Sequence, residues 1–340
     1  MPGPISQRLL PVLQLTRIAL VFTAVSNSVA AMLLLAKWSP TVRGGSPWDV
    51  LTPWNIAAIV VMSIGMYGFG MSLNDIIDRR RDSQIAPGRP LPSGRIAVRT
   101  AHFICAAMAA VAILGAAAYA WGTMNWPASI VVAGLTLALI FFYDFAGKYL
   151  VAAGLVSLGL IRFFHAVIAA PSVPLLWHPL ILLNHVTLLS AVCYGLEDKR
   201  PRLTRGHWGA VIVGLVVIHL VCVAAVWYRR GPAHGGDAMR ALWITPGLWL
   251  SAAAAATFIA SALIVWRNSR DARSAGQSMM LVGLLWVIVY DAAIVAGYVD
   301  YRAAMLQLLL LPIAYLSVQL MRWWSRLIAL SQPVEYQRAR

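Results

Sequence analysis

The chain has 340 residues, of which 60% are hydrophobic and only 11% charged, and this composition excludes an ordinary soluble protein. Many apolar runs reach the roughly 20 residues that a helix needs to cross a bilayer. We therefore predict an all-α fold, a polytopic bundle of membrane helices. The net charge of +15 fits basic loops that face anionic lipid, and we find no signature of nucleic-acid binding. The three cysteines form no CxxC pair, so neither a disulfide framework nor a zinc site is indicated.

Apolar length places ten candidate spans along the chain. They cover about residues 14–36, 54–76, 98–121, 127–146, 150–170, 178–196, 207–228, 242–266, 277–298 and 303–324. The last two are separated by only a short polar segment, so nine spans and a surface helix are the alternative. The first apolar run lacks a clear small-residue cleavage site, which favours a span over a signal peptide. We expect a single domain over residues 1–340, with four-helix halves at about 14–146 and 150–266 and C-terminal helices at 277–324.

The distribution of Lys and Arg predicts the orientation of these spans. With the N-terminus in the cytoplasm, most of the 27 basic residues fall on the cytoplasmic side. The outer connections then carry only Lys37, Arg43, Arg229, Arg230, Arg240 and Arg302. Because basic loops stay in the cytoplasm, we expect a multi-pass protein of the cell's inner (plasma) membrane with a cytoplasmic N-terminus.

One polar stretch, NDIIDRRRD at residues 74–82, follows the second apolar run. If its helix continues, Asn74, Asp78 and Asp82 share one face at i, i+4 and i+8, with Asp75 on the flank. A solvated loop does not need this spacing, and three like charges on one face repel. Mg²⁺ prefers oxygen ligands and shares them with phosphates, which the neighbouring arginines also suit. The stretch therefore predicts a metal–diphosphate site with these four residues as metal ligands.

Two further polar clusters end spans on the same predicted membrane face. Tyr143-Asp144, with Lys148 just beyond, follows the fourth span, and Glu197-Asp198 follows the sixth. The plain alternatives are an interfacial tyrosine with an i,i+4 ion pair for the first cluster and an ordinary charged loop for the second. Their shared face favours one site on the cytoplasmic side.

The stretch at 74–82 resembles the first aspartate-rich motif, NDxxDxxxD, of the UbiA superfamily of intramembrane prenyltransferases. Every position of that motif is filled, and RPLPSG at 89–94 resembles the family's continuation. The segment 143–148 is similar to the family's YDxxxK, and 154–162 to its G…R stretch. The resemblance fades after about residue 205. It implies a helical bundle, usually of nine spans, which transfers an isoprenoid group from a prenyl diphosphate to an acceptor with the help of Mg²⁺.

The resemblance, together with the chemistry and the positions of the residues, predicts roles for individual residues. Diphosphate binding falls to Arg89, Arg95, Lys148 and the first-helix Asn27. The pocket for the tail or acceptor takes Tyr67, Tyr143, Arg162, His165 and Glu197. The catalytic group comprises Asp75, Asp78, Asp82, Lys148 and Asp198, and Asp198 joins the metal ligands. The implied partners are a prenyl diphosphate, an unidentified acceptor and the lipid bilayer.

The second acidic motif departs from the family pattern, which is usually DxxxD after the sixth helix. The residue four positions after Asp198 is Arg202, so one acid is missing. We predict that Asp198, with Glu197, holds a second metal or orients the acceptor. The alternatives are a cation in place of one metal, or impaired chemistry in a lipid-diphosphate binder. A membrane transporter or scaffold is a further alternative. The departure resembles divergent members of bacterial biosynthetic clusters, such as the EboC-like group.

Two charged residues, Arg162 and Asp291, fall deep inside predicted spans. A mid-membrane arginine costs several kcal/mol, which makes Arg162 a functional candidate. Asp291 in the ninth span is expected to form a buried ion pair with it. His165, one turn after Arg162, is either a hydrogen-bonding group for the acceptor or a satisfied core histidine.

Overall fold

The computed structural model describes residues 4–38, 47–123, 127–173 and 175–331. Within these ranges the chain forms α-helices joined by turns and short 3₁₀ segments. The helices are α1 (Pro4–Leu15), α2 (Phe22–Trp38), α3 (Pro53–Ile85), α4 (Val98–Thr123), α5 (Ala128–Phe145), α6 (Val151–Ile168), α7 (Trp177–Leu196), α8 (Arg205–Arg230), α9 (Ala238–Ala241), α10 (Leu248–Asn268), α11 (Ala272–Tyr298), α12 (Tyr301–Leu308) and α13 (Leu310–Ser331).

Ten stretches of the described residues are helical, long and apolar enough to cross a membrane. This confirms the predicted all-α, polytopic membrane fold, and most predicted boundaries lie within a few residues of the observed ones. The tenth stretch combines α12 and α13, which meet at Leu309. The division into two four-helix halves stays a prediction. Arg43, predicted in an outer connection, lies outside the described residues.

The first predicted span differs from the structure at its start. Residues 14–36 do not form one helix, because the chain breaks between α1 and α2. At the break Arg17 adopts the left-handed conformation with φ 45°, and a 3₁₀ turn follows over Ile18–Leu20. A left-handed residue with a side chain cannot continue a right-handed helix. The break therefore turns the Arg17 side chain away from the helical direction of α1.

Helix α3 is much longer than predicted. It begins at Pro53, which needs no amide partner in the first turn, and the Thr52 side chain caps the Asn55 amide at 3.1 Å. At 1.5 Å per residue its 33 residues span about 50 Å, well beyond the roughly 30 Å of the hydrocarbon core. The polar stretch at 74–82 is therefore the continuation of a spanning helix, which confirms the expected i, i+4, i+8 spacing.

Helices α3 and α4 approach each other closely through glycines. A Cβ atom added to Gly115 on α4 would lie 2.5 Å from the backbone nitrogen of Met62. One added to Gly65 on α3 would lie 2.8 Å from the carbonyl oxygen of Met108. Only glycine permits backbones this close, so the two helices form a rigid pair that supports the polar end of α3.

Helix α11 lies in the centre of the bundle, where it packs against α2, α7 and α10. Its side chains Val287, Ile288, Asp291 and Ile294 have no exposed surface. Helices α8 and α10, in contrast, present most of their apolar side chains outwards. This is the arrangement expected of lipid-facing helices around a buried central one.

Candidate functional site

A cavity of about 500 Å³ lies between α3, α5, α6 and α7, with α2 and α11 contributing at its edges. Its walls change character with depth. At the mouth they carry charged side chains from the ends of α3, α5 and α7. Further in they are mainly apolar, with Leu155, Leu158 and Ile161 of α6 at helical spacing. The cavity therefore combines a charged mouth with an apolar interior.

Three carboxylates of the polar stretch are held by cations. Asp78 Oδ1 lies 2.6 Å from Lys148 Nζ, and Asp82 Oδ2 lies 2.5 Å from Arg89 Nη1. Asp75 Oδ1 lies 3.1 Å from Arg17 Nη2 and 3.7 Å from Arg89 Nη1. Each carboxylate on α3 thus has a partner from another segment of the chain.

The loop after α3 aims Arg89 back at the cavity. Leu91 and Ile96 are buried against Leu15 and Ala101, which anchors the RPLPSG segment to the bundle. The Ser93 hydroxyl donates to the Arg89 carbonyl oxygen at 2.6 Å. These contacts make the RPLPSG segment compact rather than extended.

Lys148 sits on a 3₁₀ turn, Gly147–Tyr149, between α5 and α6. Gly154 packs against this turn so closely that an added Cβ would lie 2.6 Å from the Gly147 carbonyl oxygen. The Lys148 side chain is only 11% exposed, and it also approaches Asp144 at 3.7 Å. The turn therefore places a nearly buried ammonium group in the mouth.

The structure brings most of the predicted site residues to one cavity. Its walls include Asn74, Asp78, Asp82, Arg89, Lys148, Tyr67, Tyr143, Arg162, His165 and Glu197. Four predicted residues are not part of the walls. They are Asp75, Arg95, Asn27 and Asp198. Asp75 is buried directly behind the mouth, whereas Arg95 is turned away to Gln14 Oε1 at 3.0 Å and the Gly88 carbonyl oxygen.

The two acids after α7 point in different directions. The Glu197 side chain is 17% exposed, lines the cavity and pairs with Lys199 at 3.1 Å. The Asp198 side chain is 64% exposed and pairs with Arg202 at 3.3 Å and Arg200 at 3.7 Å. The structure thus separates the two residues that the sequence analysis treated as one pair.

The deep wall of the cavity carries a second polar group of residues. Arg162 donates to Asn27 Oδ1 at 3.1 Å and to the Thr23 hydroxyl at 3.0 Å. Asn27 in turn donates to both oxygens of Asp291, at 2.8 and 3.0 Å. The expected direct ion pair between Arg162 and Asp291 is therefore wrong, because Asn27 stands between them. The same contacts place Asn27 far inside the bundle rather than at the mouth.

The structure decides against one of the two interpretations of His165 and leaves the role toward the acceptor a prediction. Its side chain is 4% exposed, and neither ring nitrogen has a hydrogen-bond partner among the described residues. A buried polar atom without a partner costs about 1–3 kcal/mol. His165 is therefore not the satisfied core histidine that the sequence left open.

Several residues of the cavity were not predicted from the sequence. Besides Arg81, one of the arginines of the polar stretch, the mouth contains Arg17, Tyr194, Lys199 and Arg200. Arg17 precedes the first apolar run, where basic residues commonly flank spans, so its sequence position carries no distinguishing signal. The positively charged residues around 197–202 are visible in the sequence, but their direction depends on how the chain turns after α7.

The mouth offers part of a ligand set for Mg²⁺. Among the described residues no three His, Cys, Asp or Glu side chains form a ready metal site. Mg²⁺, however, is usually held by one or two carboxylates together with substrate phosphates. Asp78 and Asp82, with the Asn74 amide beside them, provide such an incomplete set of oxygen ligands on the cavity wall.

Comparisons with known proteins agree with this fold. No curated protein matches the sequence significantly. One similar solved structure comes from work on the biosynthesis of digeranylgeranylglyceryl phosphate synthase in membranes. It has a TM-score of 0.56 and 15% identity, and the match covers 86% of this chain and 99% of that one.

A second similar structure is the apo form of a UbiA homolog from Aeropyrum pernix K1. It has a TM-score of 0.51 and 19% identity, and the match covers 82% of this chain and 97% of that one. At such identities the likeness establishes the fold. The model of the UbiA prenyltransferase family matches residues 24–192, from α2 into α7, and so includes the polar stretch of α3 and the Lys148 turn. The chain therefore belongs to the UbiA prenyltransferase family.

Proposed function

We propose that this protein is a Mg²⁺-dependent prenyltransferase that moves an isoprenoid group from a prenyl diphosphate to an acceptor inside the membrane. One observation carries the proposal: a mouth of paired carboxylates and cations opens into an apolar cavity within a bundle of membrane helices. Family membership supports prenyl transfer in general. The mouth suits the diphosphate, and the apolar interior suits the hydrocarbon tail.

The cations of the mouth have the geometry to bind phosphate oxygens. Arg89 and Lys148 line the cavity next to Asp82 and Asp78. Guanidinium groups bind phosphate through two parallel hydrogen bonds, and a poorly solvated ammonium group adds a concentrated charge. Arg17 extends this set, since it lines the cavity and lies 3.1 Å from Asp75.

Asn74, Asp78 and Asp82 would hold Mg²⁺, which supplies charge neutralisation on the diphosphate when it is bound. We also assign Asp75 to this group, behind the wall. Asp198, predicted to hold a second metal or to orient the acceptor, is 64% exposed and lies outside the cavity walls, so it has no part in this proposal. The allylic C–O bond breaks, and the diphosphate leaves with the bonding electrons. An electron-rich atom of the acceptor attacks the carbocation, and its proton passes to the departing diphosphate. The apolar walls keep water from the cation.

A prenyl-transfer assay tests the proposal. Purified protein in lipid nanodiscs is incubated with labelled geranylgeranyl or farnesyl diphosphate, Mg²⁺ and a lipid extract. We expect diphosphate release and a labelled lipid product, both abolished by EDTA and reduced at least about a hundredfold in Asp78→Asn and Asp82→Asn, on the scale of lost transition-state charge stabilisation. Asp237→Asn, at an exposed helix cap on another part of the chain, is the control.

The assay also separates the alternatives. If the folded protein neither transfers nor hydrolyses the prenyl group, it is not an enzyme of this kind. The outward direction of Asp198 is the one feature that favours a lipid-diphosphate binder. Such a binder would hold labelled diphosphate in a Mg²⁺-dependent way without releasing free diphosphate.

The same proposal places the mouth on the cytoplasmic side of the cell's inner membrane. The turns near the mouth carry Arg89, Arg95, Lys148 and Lys199, as cytoplasmic connections commonly do. A cysteine introduced at Arg270, in the turn between α10 and α11, should react with a charged maleimide in inverted vesicles and not in intact cells. Reaction in intact cells would reverse the orientation.

A further inference from the structure

A chain of polar side chains crosses the apolar core between four helices. Its members are Thr23 and Asn27 on α2, Arg162 on α6, His178 on α7 and Asp291 on α11. Asn27 and Asp291 are 0% exposed and His178 is 2% exposed. Buried charges are costly unless they are paired and hydrogen-bonded, so this network requires a compensating benefit.

The network has a fixed direction. Asp291 Oδ1 lies 2.8 Å from His178 Nε2 and 3.0 Å from Asn27 Nδ2, and its Oδ2 lies 2.8 Å from the same Asn27 nitrogen. The Asn27 amide must therefore turn its NH₂ group to Asp291 and its oxygen to Arg162. Reversing the amide would lose both sets of hydrogen bonds.

This arrangement keeps the opposite charges apart. Among the described residues, Arg162 has no direct ion pair with a carboxylate. Arg162 is only partly buried and lines the cavity, whereas Asp291 has no exposed surface and lies behind Asn27. A direct pair would neutralise both charges more simply. The observed geometry instead leaves the guanidinium on the cavity wall with its counter-charge in the second layer.

A second polar side chain, His165, lies next to Arg162 on the cavity wall. His165, three residues later on the same face of α6, has two buried ring nitrogens that make no hydrogen bond within the described part of the chain. The Tyr67 ring lies on the other side, 5.9 Å from the guanidinium carbon. A polar pair at the end of an otherwise apolar cavity suits a ligand that carries oxygen at that end.

We propose that Asp291 is a positioning residue that, through Asn27, holds the Arg162 guanidinium on the deep wall to donate a hydrogen bond to an oxygen of the acceptor. This rests on the proposed function for the identity of the ligand. Whatever the ligand, the deep wall should bind an oxygen-bearing group more tightly than a hydrocarbon of the same shape.

A pair of nearly isosteric probes tests this without diphosphate chemistry. Benzophenone and diphenylmethane differ by one carbonyl oxygen, and benzophenone also cross-links to its surroundings under near-ultraviolet light. We expect the wild-type protein to bind benzophenone roughly tenfold more tightly, as one hydrogen bond to a charged donor provides. Cross-links should map by mass spectrometry to α3 and α6.

Asp291→Asn should reduce the preference for benzophenone to about one, with little change in the affinity for diphenylmethane. Size-exclusion elution and the unfolding temperature check that the variant is folded. Asn27→Ser is the second variant, in case Asp291→Asn does not fold. It keeps the charges of Arg162 and Asp291 but removes the amide between them, so it should also reduce the preference for benzophenone to about one. Gln307→Leu removes another buried polar contact to α2, at Ser26, and should keep the wild-type preference.

A folded Asp291→Asn or Asn27→Ser protein that retains the tenfold preference would overturn the proposal. So would wild-type protein that binds the two probes equally. Because neither probe needs the diphosphate site, a protein that binds them as expected but transfers no prenyl group would reject only the proposed enzyme activity.

Discussion

The ammonium nitrogen of Lys148 lies 2.6 Å from Oδ1 of Asp78, which fastens the turn between α5 and α6 to the middle of the polar stretch on α3. The two side chains are 11% and 19% exposed, so solvent screens this pair less than a surface ion pair. The contact joins two segments that are 70 residues apart in the sequence. It therefore defines one wall of the mouth.

Replacing Lys148 with Met should weaken the binding of prenyl diphosphate about tenfold to a hundredfold, because a hydrogen bond to a charged group is worth about 1.5–3 kcal/mol. Equilibrium binding of labelled geranyl diphosphate in the presence of Mg²⁺ measures this. The control is Lys37→Met, because Lys37 lies in the last turn of α2 and does not line the cavity. Equal dissociation constants for Lys148→Met and the wild type would contradict the assignment.

Glu197 and Asp198 should respond differently to neutralisation. Glu197→Gln changes a cavity wall, so we expect prenyl transfer to fall about tenfold or more, as for a lost charged contact in a partly buried site. Asp198→Asn changes a residue that is 64% exposed and paired with two arginines, so its geometry predicts less than a threefold effect, typical of exposed ion pairs.

Initial rates over a series of Mg²⁺ concentrations up to saturation measure both effects. A large loss in Asp198→Asn, accompanied by a lower apparent affinity for Mg²⁺, would instead support the predicted role as second metal ligand. The two substitutions are matched, because each removes one negative charge from adjacent positions at the end of α7.

Gly115→Ala should destabilise the protein by about 1–3 kcal/mol, the usual cost of overpacking a tight interface. The added methyl group would press on the Met62 backbone, which cannot move like the end of a side chain. Gly134→Ala on α5 is the control, since no atom of the described residues lies within 4 Å of its added Cβ. There the substitution should be neutral or stabilising, because alanine favours a helix more than glycine does.

Thermal unfolding of the two variants in the same detergent provides the comparison. If Gly115→Ala unfolds at the wild-type temperature, then α3 and α4 are not held as closely as the structure indicates.

Local pattern was sufficient to predict the spans and the polar face of α3. The i, i+4, i+8 spacing at Asn74, Asp78 and Asp82 depends only on helical periodicity, and the helix continues as expected. The RPLPSG segment was recognisable because its residues are adjacent in the chain. Its role as an anchored loop that returns Arg89 to Asp82 follows from packing against α1 and α4.

Other parts of the site depend on tertiary contacts that no local pattern encodes. Arg17 reaches Asp75 only because the chain breaks between α1 and α2. Asn27 joins Arg162 to Asp291 because α2, α6 and α11 meet in the core. The sequence indicated that Arg162 and Asp291 were exceptional, since both are charged within apolar runs. It could not indicate that a neutral amide would stand between them.

The ion pairs at the mouth have a consequence for the order of events. Each carboxylate there already has a cation, so a free metal ion would have to compete with Arg89 or Lys148, and a free diphosphate with Asp82 or Asp78. If Mg²⁺ and the prenyl diphosphate bind together, as we propose, the carboxylates would turn to the metal while Arg89 and Lys148 would turn to the phosphate oxygens. Each carboxylate would exchange its Arg or Lys partner for the metal, and each cation would exchange its carboxylate for a phosphate oxygen. Every charged group at the mouth would therefore keep a partner of opposite charge throughout binding.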